Sequence, residues 1–201
     1  MFNGIIKNTG KLHKIYKKNN NCIIVISSKM KFRRDDIGSS ISCSGVCLTL
    51  ESYKKNFIKF YLSKETLNKT NFKYVQSGNI INLEKPMKFG DTISGHFVQG
   101  HVDTTCQVKK IQFIGKSWEI NFKLMKRYIH YLIPKGSIAI NGVSLTIAKI
   151  FNNEFKIAII PKTLKLTNLA KLKKNDYVNV EFDIIRKINL SKYKKLIKIK
   201  K

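Results

Sequence analysis

The chain has 201 residues, 43% of them apolar, which gives room for one or two domains, supports a packed core and excludes a disordered chain. Its formal net charge of +27 comes from 35 Lys and only 4 Arg, scattered through every segment; this reads as compositional bias on a Lys-tolerant surface rather than a nucleic-acid face, which favours clustered Arg. No apolar run approaches the ~18 residues of a membrane span, and Met1-Phe2-Asn3-Gly4-Ile5-Ile6 lacks a basic n-region before an apolar stretch, so no secretory signal is expected.

Taken in chain order, Cys22–Ser27, Phe57–Leu62, Ile138–Ile140 and Phe155–Ile160 are short, rich in β-branched residues and bounded by turn chemistry, and they predict strands. Ser44-Gly45 and Asn141-Gly142 predict tight hairpin turns between apolar arms. Glu65–Phe72 and Thr163–Leu169 each allow a helical turn or two. Ile185, Ile188, Leu196 and Ile197 fit helical spacing, with Lys between them. That basic tail is either a solvated helix on its own domain or an amphipathic helix meeting another subunit or an anionic surface.

These elements are organised by an internal repeat. Cys43-Ser44-Gly45-Val46-Cys47-Leu48-Thr49-Leu50 recurs 97 residues later as Ile140-Asn141-Gly142-Val143-Ser144-Leu145-Thr146-Ile147. At the same offset, 64–72 matches 161–169, and Ile81-Asn82-Leu83-Glu84 matches Val178-Asn179-Val180-Glu181. Gly4, Thr9 and Ile15 fall on Gly100, Thr105 and Ile111 at an offset of 96. The chain is therefore a tandem duplication, 1–90 and 91–186, with a tail of 187–201. Many short strands in a unit of this size predict a small β-barrel, whose closure removes exposed edges.

The residues that could carry chemistry are few. Cys22, Cys43, Cys47 and Cys106 form no C-x-x-C pair, and His13, His96, His101 and His130 no H-x-x-x-H, so no metal site is expected. Reduced thiols in the cytoplasm are the default. No P-loop, dinucleotide fingerprint or nucleophile elbow is present. Gly95-His96-Phe97-Val98-Gln99-Gly100-His101-Val102-Asp103 holds two of the four His between glycines. Read as a strand, the odd spacing sends His96 and His101 to opposite faces, and the glycines would admit a flat ligand against the backbone. Cys47 and Ser144 are repeat equivalents, each two residues before a Thr (Thr49, Thr146), so each half offers a thiol or hydroxyl pair on one strand face. Singly these residues read as ordinary core or strand choices; in duplicate they point to two related pockets. Asp183 sits in an otherwise apolar run, where a carboxylate is either paired or at a strand end facing water.

Together these motifs resemble the α-type riboflavin synthase family. The family opens M-F-T-G-I, as Met1-Phe2-Asn3-Gly4-Ile5 does here; its N-G-V-C-L-T matches Ser44 through Thr49, its G-G-H-x-x-x-G-H-V matches Ser94 through Val102, and its D-G-x-S-L-T matches Asn141 through Thr146. Its E-T-L-x-x-T and P-x-T-L-x-x-T blocks match at Glu65 and Pro161. The resemblance covers 1–186. It implies an all-β chain of two similar six-stranded Greek-key barrels with a short C-terminal helix, and a homotrimer with each active site between barrels of neighbouring subunits. The implied reaction passes a four-carbon unit between two molecules of 6,7-dimethyl-8-ribityllumazine, giving riboflavin and 5-amino-6-(ribitylamino)uracil, without metal or redox cofactor.

Carried over residue by residue, the resemblance implies His101 as the proton-transfer group. Ser40 and Cys47 would supply or orient the nucleophile, Phe2 matches an N-terminal aromatic, and Asp183 matches a carboxylate near the second barrel's pocket. The ring- and ribityl-binding segments map to Gly4, Ile5, Ile6, Cys47, Leu48, Thr49, Tyr61, Leu62, Ser63, Lys64, Glu65, Thr66, Gly100, His101 and Val102. In the second half they map to Lys135, Ser144, Leu145, Thr146, Ile160, Pro161, Lys162, Thr163, Leu164 and Lys165. Asn3 and Ser44 depart from the family's Thr and Asn but stay polar, and the tail is short and basic. A lumazine- or flavin-binding relative without catalysis is the nearest alternative. A nucleic-acid-binding barrel is the alternative from another class, and it would need clustered Arg and exposed aromatics on one sheet face.

Overall fold

The computed structural model describes residues 1–18 and 21–199. Twelve strands form two closed antiparallel barrels. The first contains β1 (Asn8–Lys18), β2 (Asn21–Ser28), β3 (Ser40–Cys43), β4 (Val46–Lys54), β5 (Phe57–Leu62) and β6 (Ile80–Glu84), in the closed order β1-β2-β5-β4-β3-β6. The second contains β7 (Thr104–Ile114), β8 (Ser117–Lys123), β9 (Ser137–Ile140), β10 (Val143–Phe151), β11 (Glu154–Ile159) and β12 (Tyr177–Phe182). Its order repeats the first barrel's, strand for strand.

Alternation builds each barrel. In β5, Ile58, Phe60 and Leu62 are buried while their neighbours are partly or fully exposed, and β11 repeats this with Phe155, Ile157 and Ile159. A period of two places one face inward. Register shifts fall between Leu12 and Lys14 and between Leu50 and Ser52. They recur at the equivalent places, between Val108 and Lys110 and between Ile147 and Lys149. Such bulges bend and twist a strand, which closure of a small barrel requires. The two expected helical turns are present as α1 (Lys64–Lys69) and α2 (Pro161–Leu166), each followed by a 3-10 turn. The tail is helical as α3 (Ile184–Ile199), beginning three residues before the expected boundary. Residues 200 and 201 of the expected helix lie outside the described residues.

The barrels meet back to back at their equivalent hairpins. Ser44 and Gly45 have φ of 45° and 82°, and Asn141 and Gly142 have 48° and 76°. Two positive φ values in sequence define the type I′ turn that the Ser-Gly and Asn-Gly dipeptides predict. The turns touch through their glycines: a Cβ on Gly45 would stand 2.7 Å from the Gly142 nitrogen, and one on Gly142 would stand 2.6 Å from the Gly45 nitrogen. Only a residue without a side chain permits that approach.

Around the turns a reciprocal set of asparagines crosses the seam. The Asn82 side chain donates to the Asn141 carbonyl (2.9 Å) and accepts from the Asn168 backbone N–H (2.7 Å). Its repeat equivalent, Asn179, donates to the Ser44 carbonyl (2.8 Å) and accepts from the Asn71 backbone N–H (2.7 Å). Both are fully buried, at 0% and 1% exposure. Removing either side chain leaves a backbone donor and a backbone acceptor buried without partners, each costing about 1–3 kcal/mol. We therefore expect Asn82→Ala and Asn179→Ala each to lower the unfolding free energy by about 2–6 kcal/mol in chemical denaturation; a loss under ~1 kcal/mol would show that the seam does not depend on them.

Candidate functional site

Each barrel lends its N-terminal arm to the other. Ile6, which precedes β1, packs in the core of the second barrel, while Val102, which precedes β7, packs against the core of the first. The arms cross at an antiparallel bridge between Phe2 and Val98, with N–H···O distances of 2.7 and 3.1 Å. Phe2, Val98 and Ala139 form a small buried cluster at the crossing, with Cys47 packed against it.

The crossing places equivalent groups together twice. The Cys47 N–H of β4 donates to the Gly100 carbonyl, and the Ser144 N–H of β10 donates to the Gly4 carbonyl, both at 2.8 Å. Gly4 and Gly100 have φ of +73° and +81°; a Cβ would stand 2.7 Å from the Ser144 Cβ at the first and 2.6 Å from the Cys47 Cβ at the second. Gly4 and Gly100 therefore serve close approach between protein segments. Cys47 and Thr49 point the same way, as do Ser144 and Thr146, and all four are at least partly exposed.

The arm at 95–101 is irregular apart from the Val98 bridge, so strand parity does not govern its histidines. His96 turns inward, its Nδ1 2.7 Å from the Ser144 Oγ. Burial holds its imidazole below the ordinary value, and the charge of Asp183 opposes that shift. Asp183 lies just beyond β12, where its carboxylate accepts the Ile185 N–H (2.9 Å) at the start of α3; it is a strand-end, helix-capping residue. His101 stays exposed.

This geometry offers two candidate half-sites. The first gathers Cys47, Thr49, Gly100, His101 and Val102 over Phe2. Because β5 runs antiparallel to β4, with Leu50 opposite Phe60, Tyr61 and Leu62 lie alongside the Cys47–Thr49 end. Ser63 then caps α1, accepting from the Thr66 N–H at 3.1 Å. Ser40 pairs with Thr49 in the sheet. The second half-site gathers Ser144, Thr146, Gly4, Ile5 and His96 near Asp183. The Ile160–Lys165 segment follows β11, whose Ile157 lies opposite Ile147. Lys135 stands in the turn before β9 at φ 66°, its N–H donating to the Ile147 carbonyl. A cleft of about 800 Å³ under the connector between the barrels includes Ile5 but none of Cys47, His96, His101 or Ser144.

Each arm is held by a buried carboxylate that the sequence reading did not single out. Glu84 accepts the Asn3 N–H (2.8 Å) and the Gly4 N–H (3.1 Å). Glu181, its equivalent, accepts the N–H groups of Gln99 (2.6 Å), Gly100 (2.8 Å) and His101 (3.0 Å). Both belong to the matched Asn-x-Glu blocks; the duplication marked them, but their partners lie 80 or more residues away. Desolvation raises the Glu84 pKa, and raises that of Glu181 to about 7, against the pull of the arm N–H groups and Lys187.

The comparisons with known proteins agree with this duplication. A lumazine binding domain model matches the chain twice, at residues 3–86 and 99–183. Riboflavin synthase of Actinobacillus pleuropneumoniae is 35% identical over 187 residues, covering 93% of this chain and 87% of that one. The riboflavin synthase of Escherichia coli K12 is 36% identical over 185 residues, covering 91% and 87%. Among solved structures, LumP complexed with riboflavin superposes at a TM-score of 0.80 with 28% identity, covering 90% of this chain and 99% of that one. LumP with 6,7-dimethyl-8-(1'-D-ribityl) lumazine gives 0.79 and 27%, covering 90% and 98%.

The Glu181 shift fixes the sign of a pH effect. A carboxyl whose folded pKa lies above its unfolded value of about 4.5 contributes stability that is complete below pH 4.5 and lost as pH rises through about 7. Relative to Glu181→Gln, the wild-type chain should lose on the order of 3 kcal/mol between those limits. Denaturation midpoints of the two proteins that stay parallel across this range would contradict it.

Proposed function

The chain belongs to the riboflavin synthase family of duplicated lumazine-binding proteins, and from that premise we propose how its two half-sites perform the family reaction. Two molecules of 6,7-dimethyl-8-ribityllumazine enter; a four-carbon unit passes from one to the other, giving riboflavin and 5-amino-6-(ribitylamino)uracil. The atoms balance between the two substrates and the two products. The observation that carries the assignment is the doubled construction: two identical substrates need two similar seats, and the chain builds one around Cys47 and Gly100 and another around Ser144 and Gly4.

Holding two rings in register converts a bimolecular encounter into an effectively unimolecular one. The lumazine C7 methyl is acidic because the ring delocalises the resulting carbanion, so a base of ordinary strength is enough. His101, exposed on the first half-site, is the group we assign to that proton transfer. Ser40 and Cys47 orient the nucleophile at the ring carbon. Phe2 supports the first half-site from beneath: a Cβ on Gly100 would come within 3.0 Å of its ring. In the second half-site, burial favours neutral His96 at neutral pH, and its hydrogen bond to Ser144 polarises that hydroxyl toward the substrate. The two seats thus differ in chemistry while sharing a frame, and this suits substrates that end as donor and acceptor. Asp183 supplies charge beside His96.

The half-sites lie open on a single chain. Ile160 is 60% exposed and Tyr61 41%, and the substrate rings would gain by being covered. On α3, Ile185 and Ile188 are 58% and 48% exposed and three residues apart, so they form one apolar stripe. Both features support assembly as a homotrimer, with the first half-site of one subunit closing on the second half-site of its neighbour. No described helix is long and apolar enough to cross a membrane, and four free cysteines support a reducing, cytoplasmic setting.

Purified protein incubated with 6,7-dimethyl-8-ribityllumazine should form riboflavin, followed by its absorbance, well above the uncatalysed rate. His101→Ala should slow this by about 100-fold or more with lumazine binding changed only a few-fold. Tight binding without turnover would instead mark a non-catalytic flavin carrier, and undiminished turnover in the variant would remove His101 from the proton transfer.

A further inference from the structure

Resting on that reading, we propose that Glu181 is a positioning residue of the first half-site, holding His101 in reach of substrate by gripping the arm that carries it, and that Glu84 does the same for the Gly4 arm of the second. The chain has only 12 acidic residues. Glu84 and Glu181, at 9% and 3% exposure, are the two among the buried described residues. They occupy the same position of the repeat, and each accepts backbone N–H groups from the arm that crosses the seam. An unpaired carboxylate in such a place is costly. Here the arm supplies the partners, so neither the arm nor the carboxylate is well solvated apart from the other.

The geometry gives the grip a direction. Glu181 stands on β12 of the second barrel, while Gly100 sits on Cys47 of the first. Its two oxygens divide the work, one accepting from Gln99 and the other from both Gly100 and His101. The His101 N–H is therefore fixed at one end of a chain of contacts whose other end is the Cys47 N–H. Glu84 stands on β6 of the first barrel and holds Asn3 and Gly4, and the Gly4 carbonyl receives the Ser144 N–H of the second. Each half-site is thus assembled from both barrels, with a carboxylate from one fastening an arm to a strand of the other. Neither glutamate side chain has to touch substrate for this role.

The test is a double-mutant cycle in the full-length protein. Glu181→Gln keeps one acceptor oxygen and turns the other into a donor facing N–H groups, so it loosens the arm without emptying the space. We expect kcat for riboflavin formation to fall about 10–100-fold with KM within a few-fold. In a His101→Ala background the same substitution should cost little more, because the residue it positions is gone. Independently of turnover, amide hydrogen exchange at Gln99, Gly100 and His101 should speed up in Glu181→Gln while Asn3 and Gly4 keep their wild-type rates; Glu84→Gln should give the mirror pattern. If Glu181→Gln does not fold, Glu181→Asp, which keeps the charge but withdraws it by one methylene, is read in the same way. Wild-type kcat in the folded variant, full additivity with His101→Ala, or unchanged exchange at 99–101 would each overturn the proposal. Absence of turnover in the wild-type protein would overturn the functional reading instead, and the exchange pattern would still decide whether the carboxylates hold the arms.

Discussion

Two polypeptide turns cannot touch through their backbones in a protein interior unless every amide and carbonyl at the contact finds a partner. At the seam between the barrels this constraint is met by symmetry. Gly45 and Gly142 provide the close approach. Asn82 and Asn179 then each reach across, giving a donor to one turn carbonyl and an acceptor to a backbone N–H of the opposite barrel. An asparagine suits this because its amide offers both functions on one short, stiff side chain. The arrangement admits little play: a shift that lengthens one bond strains its equivalent. Barrel orientation is therefore set by hydrogen bonding as well as by apolar contact.

The half-sites inherit their shape from that seam. With the turns fixed back to back, the arms that lead into each barrel lie on the other, and they bring Gly4 to Ser144 and Gly100 to Cys47. The duplication makes the two seats alike, but it does not make them identical. The second half-site has a histidine, His96, bonded to its hydroxyl. The first half-site has instead a thiol and the exposed His101. The chemical symmetry is thus broken in the side chains each arm presents, while the backbone frame is shared.

Much of this was legible in the sequence, and the remainder was hidden for a definable reason. The repeat, the hairpin turns, strands such as Phe57–Leu62 and the two short helices follow from local pattern, where neighbours in sequence are neighbours in space. The Cys47 and Ser144 pairing followed from register within the repeat. The seam asparagines and the two glutamates were visible as matched letters, but their partners lie 59–135 residues away, and no local rule assigns them. The histidine arm separates its two imidazoles, His96 inward and His101 exposed, but not through strand parity. It makes one bridge to Phe2 and no ladder, so a parity rule that holds only inside a sheet does not apply. His96 consequently faces a hydroxyl that sequence spacing could not have named.

The charge balance follows the same division between surface and interior. Thirty-nine basic residues against 12 acidic ones would threaten a fold that had to bury them, yet the buried polar and charged side chains among the described residues are Ser, Thr, Asn and two Glu, with no Lys or Arg. Lysine is well suited to carry excess charge outward, because its long stem lies along apolar surface while the ammonium stays in water. The seam and the half-site frames are therefore built from neutral amides, hydroxyls, glycines and two buried carboxylates, groups whose geometry is short-ranged and weakly screened by salt. A surface can drift far toward lysine without disturbing them. The net charge of this chain consequently says little about its fold, whereas a handful of duplicated interior residues frames both barrels and the two proposed seats.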